Sequence, residues 1–310
     1  IYVGGLGGSA QIVATAADLA GGEGARGIVR TGRWLAFAAS LAGAPLLIAD
    51  LKTPQRWYNM LRIFRATSPM SIGSYILSGF GAFSALTATA QLAEDTGVLR
   101  HRTARRTARA AQMPAALTGA GMSVYTAALL SATSTPLWAA APRELAVRFG
   151  SAAMASAAAA LSLGERAAGR GRMAGALDRL ALAACAAELV ASILADRRYC
   201  EQGVGGVLEE PPWKQVHTAG SLGLAAAVPI LCHGLNLAAG QRSRGLSVLG
   251  SLAILVGSAA MRHTMLRAGN LSAKRPADYF RMTQPPVPAG IGSGDRLHDR
   301  ERPARPRLDR

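Results

Sequence analysis

Apolar windows of about twenty residues recur along the chain between arginine-rich connections, and this pattern constrains the fold most strongly. A helix of that length crosses a hydrocarbon core of roughly 30 Å. In lipid a backbone must meet its own hydrogen-bonding needs, so each window reads as a spanning helix. Eight windows fall near residues 1–20, 28–50, 70–93, 113–134, 144–164, 173–195, 216–239 and 245–268. Several are alanine-rich, so the set is a stronger signal than any one member, such as 144–164. Half the residues are hydrophobic and 17% are charged, and the charged ones cluster in the connections. The expected fold is an all-α, polytopic membrane helix bundle of about eight transmembrane helices over residues 1–270. A basic Pro/Arg-rich soluble tail over 271–310 follows, expected to be disordered beyond Gln284. The window length disfavours a soluble helical protein with a very large alanine-rich core.

The formal net charge is +16. The basic residues sit in the connections and tail, as the positive-inside bias and contact with anionic lipid would place them. No basic stripe suits a phosphate backbone, so nucleic acid is not an expected partner. Cys185, Cys200 and Cys232 are too few and too scattered for an iron–sulfur cluster, a zinc site or a disulfide framework. Any cluster must therefore belong to a partner. In the first window Gly5, Gly7 and Ala10 match a dinucleotide fingerprint by spacing, but no strand precedes them and no acid follows at the ribose interval. Gly4-x-x-x-Gly8 instead lets another backbone or a flat ligand approach closely. Gly4, Gln11 and Asp18 share one helical face, with Gly8 and Thr15 between them.

Residues 50–69 form a hinge between two windows. Asp50 ends one, Pro54 stops the helix, and Pro69 opens the next at its first turn. Between them Lys52, Arg56, Arg62 and Arg65 alternate with Trp57, Tyr58, Leu61 and Phe64, an amphipathic ribbon suited to the membrane interface and to docking. In the third window Ser71, Ser74, Ser78, Gly81 and Ala85 form a stripe that suits close packing or a ligand. In the fourth, Thr118, Gly121 and Tyr125 lie along one face. A buried tyrosine hydroxyl there needs a partner, either a helix carbonyl or a ligand. The run from Arg100 to Arg109 is the densest positive connection and is expected on the cytoplasmic side, with the hinge opposite. The hinge charges pull the other way and are read as serving a partner surface.

Ionisable residues at membrane depth point to function by default. The sixth window carries Asp178 and Glu188, the seventh His217, His233 and Asn236, and the eighth Arg262 and His263. Glu188 suits either proton handling, since a neutral buried acid can pass on a proton when a neighbour changes charge, or an interhelical bond or ion pair with an arginine such as Arg33. A haem-carrying, cytochrome b-like subunit is one alternative. His217 and His233, sixteen residues apart, point about 160° from each other, which disfavours two haems on that helix. A transporter is the other; Pro45 and Pro229 break spans, but no convincing repeat relates the two halves.

The order Asp50-Leu51, Pro54, then Asn59-Met60-Leu61-Arg62-x-Phe64-Arg65-x-Thr67-Ser68-Pro69-Met70-Ser71-x-Gly73-Ser74 resembles the NrfD/PsrC family, membrane subunits of polysulfide-reductase-type complexes. Tyr125-Thr126, Leu129 through Thr133, and Pro136-Leu137-Trp138 are similar to that family too. The family's usual Gly-Arg-Pro is here Lys52-Thr53-Pro54, so the role of that arginine does not carry over. The resemblance implies a membrane anchor that binds quinone with a tyrosine of this helix. Its implied partners are a ferredoxin-like iron–sulfur subunit and a molybdopterin catalytic subunit. The expected quinone-binding residues are Tyr125, Gly4, Gly8, Gln11, Ser71 and Ser74, drawn from window ends that share the hinge face when helix directions alternate. Partner docking is assigned to Asp50, Lys52, Pro54, Arg56, Arg62, Arg65 and Ser68, and proton transfer to Asp18, Glu188 and His233. The expected cofactor is menaquinone or ubiquinone, with no haem or iron–sulfur cluster in this chain. The expected location is the inner (plasma) membrane, with the docking loop on the extracytoplasmic side.

Overall fold

The computed structural model describes residues 2–49, 51, 53–98 and 101–283. Asp50, Lys52 and the tail from Gln284 onward lie outside the described residues, so the expectations placed on them are not addressed by the structure. Among the described residues there is no strand. Eight long helices are α1 (Tyr2–Ala20), α2 (Arg26–Ala49), α3 (Pro69–Thr96), α4 (His101–Ser131), α5 (Pro142–Ala167), α6 (Gly171–Glu201), α7 (Trp213–Ala238) and α8 (Arg244–Ser272). Each holds the bulk of one apolar window. Six of them, all but α1 and α6, are long and apolar enough to cross a membrane. Glycine, Gln11, Thr15 and Asp18 dilute α1, and Asp178, Arg179 and Glu188 dilute α6. From His101 onward the arginine run expected as a connection is instead the first turns of α4, and Arg100 lies outside the described residues. Arginine is a good helix former, and the chain there has no breaker to stop it.

Capping chemistry places several of the ends. The Ser68 hydroxyl accepts the Ser71 amide at 3.4 Å with Pro69 at the first helical position, and the Ser243 hydroxyl accepts the Leu246 amide at 3.2 Å. At the far ends the connections α1–α2, α5–α6 and α7–α8 are tight, and α3 stops at Gly97. Gly22, Gly97, Gly169 and Gly240 take positive φ of 59°, 70°, 76° and 70°. Inside α7, residues Val216–Ala227 are wound as a π-helix. Pro229 has no amide to offer the Ala225 carbonyl, and that carbonyl accepts instead from the Cys185 thiol of α6 at 3.6 Å.

These hairpins assemble into two four-helix rings. In the first, α1 packs on α2 and α4, and α3 on α2 and α4; the second repeats this with α5, α6, α7 and α8. The rings meet where α5 packs on α1, α4 and α2. Small residues set the spacing. A Cβ on Gly8 would lie 2.3 Å from the Gly119 carbonyl oxygen, and one on Gly257 would lie 2.2 Å from the Ala225 nitrogen, so these backbones touch.

Burial departs from that of a water-soluble bundle. Gln11, Gln112, Arg148, Glu165 and Glu188 are buried, while Leu41, Leu117, Val190, Leu231 and Val256 are exposed. Apolar side chains facing outward over this area need lipid, not water. The chain is therefore a multi-pass membrane protein. One face carries the tight glycine turns. The other carries the hinge, residues 132–141 and residues 202–212, and there a short helix, α9 (Pro276–Thr283), is held by the Arg275–Glu210 ion pair and by Arg281 donating to the Gly203 carbonyl at 2.6 Å.

Candidate functional site

The hinge is a small folded element. A 3-10 turn at Pro54–Arg56 leads into one helical turn at Asn59–Arg62. Ser71 fastens it to α3, its hydroxyl accepting the Arg65 amide at 3.0 Å and donating to the Ile63 carbonyl at 3.4 Å. Tyr75 donates to the Leu61 carbonyl at 3.0 Å, and its ring meets Phe64 edge to face at 5.0 Å. Pro54, Arg56, Trp57, Tyr58, Arg62, Phe64 and Arg65 are all exposed, giving a face that is both basic and aromatic. Ser71, expected at a quinone, is thus committed to holding this element in shape.

Between the hinge, α2 and α3 lies an apolar cavity of about 300 Å³. Leu47, Ile48, Met60 and Leu77 form its walls, Trp57 of the hinge borders it, and Ser40, Ser74 and Ser78 supply hydroxyls. The serines satisfy themselves locally: Ser74 donates to the Met70 carbonyl at 2.9 Å and Ser78 to the Ser74 carbonyl at 2.8 Å. A hydroxyl that donates to its own helix keeps free lone pairs, and it can rotate toward a ligand. Gly81, also in the lining, has nothing within 4 Å of where its Cβ would be.

Tyr125 stands one face further round α3. Its hydroxyl donates to the Pro69 carbonyl at 3.0 Å. A Cβ on Gly73 would overlap its ring, so Gly73 makes the seat for that ring. The helix-carbonyl alternative is the contact the structure shows. Gly4, Gly8 and Gln11 lie elsewhere. Gly8 meets the backbone of Gly119 of α4, the close-backbone use of that motif, while Gly4 meets the end of the Met122 side chain. Gln11 is fully buried, donating to Thr15 at 3.3 Å.

At the opposite end of the first ring a polar cavity of about 1020 Å³ is lined by Asp18, Arg30, Arg33, Asp95, Arg105 and Arg109, among others. Arg33 is its buried floor, donating to Gln91 at 2.9 Å and Gln112 at 3.1 Å and lying 3.9 Å from Asp18. Arg109 lies 3.6 Å from the same carboxylate. Arg33 is therefore not the partner of Glu188, which sits in the other ring. Beside the cavity Glu165 binds Arg170 through both oxygens, at 2.6 and 2.7 Å. This fork raises the Arg170 pKa above the ordinary guanidinium value.

In the second ring Asp178 is almost fully supplied with donors. It accepts from Ser162 at 2.5 Å, Arg166 at 2.5 Å and Ser247 at 2.6 Å, tying α5, α6 and α8 together. His233 lies 3.9 Å from Asp178 with neither ring nitrogen hydrogen-bonded, and His217 meets Asp196 at 3.1 Å. Glu188 is fully buried with both oxygens unpartnered. Asp18, Glu188 and His233 are thus three separate stations, with no direct contact among them. Among the described residues no group of three or more His, Cys, Asp or Glu is placed to hold a metal ion. Sequence reasoning missed Gln91 and Gln112, which hold Arg33, and Arg148, an arginine about one turn inside the fifth window whose position was itself the signal.

The motifs of the hinge that resemble the NrfD/PsrC family thus stand on a bundle of membrane-length helices. The family model described as "Polysulphide reductase, NrfD" matches residues 1–273. The chain belongs to the NrfD family. Its match takes in both four-helix rings and stops just past the end of α8. No curated protein matches the chain.

Proposed function

We propose that this NrfD-family chain is the quinone-interacting anchor of a respiratory oxidoreductase complex, passing electrons between the quinone pool and an iron–sulfur subunit seated on the hinge. The observation that carries this reading is the juxtaposition of the exposed basic and aromatic hinge with the apolar cavity bordered by its own Trp57. The residues suit a quinone head: a flat apolar slot between α2 and α3, hydroxyls at Ser40, Ser74 and Ser78, and open space above Gly81. A bound quinone would supply two-electron, two-proton redox chemistry. The chain's own part is to orient the ring between Leu47 and Leu77, to exclude water with Trp57 and Met60, and to offer hydrogen bonds from the serines. Tyr125, at the same end of the bundle, is the further donor we assign, exchanging the Pro69 carbonyl for the ligand.

The partner on the hinge is a ferredoxin-like iron–sulfur protein, with a molybdopterin subunit beyond it. Arg56, Arg62 and Arg65 attract its acidic rim, and Trp57, Tyr58 and Phe64 supply buried contact. The tight-turn face carries Arg30, Arg102, Arg105, Arg106, Arg109, Arg170, Arg172 and Arg242. The positive-inside rule therefore puts that face in the cytoplasm and the hinge on the extracytoplasmic side of the plasma membrane. Asp18, reached from the cytoplasmic polar cavity, is the entry point we assign for protons, with Glu188 and His233 as separate later stations.

Trp57 is the reporter. Titration with a short-chain quinone should quench tryptophan fluorescence saturably, and Trp57→Phe should remove the saturable part. Quenching that persists unchanged in Trp57→Phe would place the quinone elsewhere.

A further inference from the structure

The second ring contains a charge imbalance that its own side chains do not resolve. Arg148 of α5 is fully buried; its Nη1 reaches only the Met265 sulfur at 3.8 Å, and its Nε and Nη2 have no partner. Arg262 of α8 is almost as buried. Its Nη2 donates to the Phe149 carbonyl at 2.9 Å and its guanidinium stacks 4.7 Å over the Phe149 ring, leaving Nε and Nη1 unpartnered. Arg262 thus takes the carbonyl next to Arg148, and Arg148 takes the sulfur one turn from Arg262. The two guanidinium groups therefore lie at one level of the α5–α8 crossing. Glu188 of α6 interacts electrostatically with both, yet neither of its oxygens is hydrogen-bonded. The Tyr199 hydroxyl, buried beside Arg148, is also without a partner.

Glu144 and Asp196, the other carboxylates that act on Tyr199, are already engaged by Arg198 at 3.5 Å and His217 at 3.1 Å, so two buried guanidinium groups face Glu188 as their one buried carboxylate and one positive charge is left uncompensated. Unpaired buried charge is expensive, and Asp178 in the same ring shows how this protein otherwise treats one, with donors on both oxygens. Water would satisfy the orphaned N–H and O–H groups without neutralising the charge. A single small anion would do both. We propose that α5, α6 and α8 enclose a binding site for a small monovalent anion of the halide class, held by Arg148 and Arg262 with the Tyr199 hydroxyl as a third donor. Glu188 compensates one arginine and the anion the other, which disfavours a divalent anion. The site stands apart from the quinone cavity and does not depend on that reading.

The test uses the chain in lipid nanodiscs with the subunits that accompany it, in gluconate buffer free of halide. Added chloride or bromide should raise the Tm saturably. Crystals grown in bromide should show an anomalous peak between the Arg148 and Arg262 side chains. Glu188→Gln removes the competing negative charge and should tighten the halide Kd by about tenfold or more, since a unit charge a few ångströms away changes affinity by at least that factor. Arg148→Gln should abolish the response. A wild type with no halide-dependent Tm and no bromide peak overturns the proposal, as does a Glu188→Gln variant whose halide Kd is unchanged. These two readings decide the matter even if Arg148→Gln fails to fold.

Discussion

Gly81→Leu separates function from folding better than any other substitution in the cavity. Gly81 is helical, lies in the cavity wall, and has no heavy atom within 4 Å of its Cβ direction, so a side chain enters open space without moving backbone. Replacing glycine in a helix interior by leucine favours the helix by about 0.5–1 kcal/mol. The leucine also buries itself among Leu47, Ile48 and Leu77, a gain on the order of 1.5–3 kcal/mol relative to exposure. A quinone must displace that side chain, so its affinity should fall by the same amount, roughly ten- to a hundredfold at about 1.4 kcal/mol per decade. The assay is quinone-linked turnover in isolated membranes beside dye-linked activity of the catalytic partner, with Tm measured on the purified chain. The expected result is a Tm equal to or above wild type, intact dye-linked activity, and a quinone KM raised at least about tenfold. A stable variant with an unchanged quinone KM would refute the assignment of this cavity.

Tyr125→Phe removes one hydrogen bond to the Pro69 carbonyl, about 1 kcal/mol of stability. It should lower quinone turnover while dye-linked activity stays intact; equal turnover with quinone would leave the tyrosine a purely structural role. Gly8→Val drives a side chain into the Gly119 carbonyl and should cost about 1–3 kcal/mol or more, read as a lower Tm; an unchanged Tm would mean that α1 and α4 are not held in backbone contact. Arg62→Glu with Arg65→Glu should release the peripheral subunits into the soluble fraction at moderate salt, and their retention would show that the hinge is not the seat.

The spans were legible because a backbone in lipid leaves the sequence so few choices. The windows, the stops at Pro54 and Pro69, and the family motifs around Ser68 and Tyr125 all follow from residues close together in the chain. The site was less legible, since Gly4, Gly8 and Gln11 were equally suited to a ligand and to another helix. Only the approach of α4 to within backbone contact of Gly8 decided between them. Ser71 and Ser74 sit on one stripe, yet one braces the hinge and the other lines the cavity, because the hinge folds back over the first turn of α3.

What the sequence determined alone was the membrane-spanning, all-helical character and the family, because hydropathy and motif are local properties. Which polar residues meet was left to the tertiary structure. Arg33 finds Gln91 and Gln112, Asp178 finds Arg166, and Glu188 faces two arginines, through contacts between helices far apart in the chain. Helix periodicity fixes the face on which a side chain stands. Only the packing of the two rings fixes what that face meets.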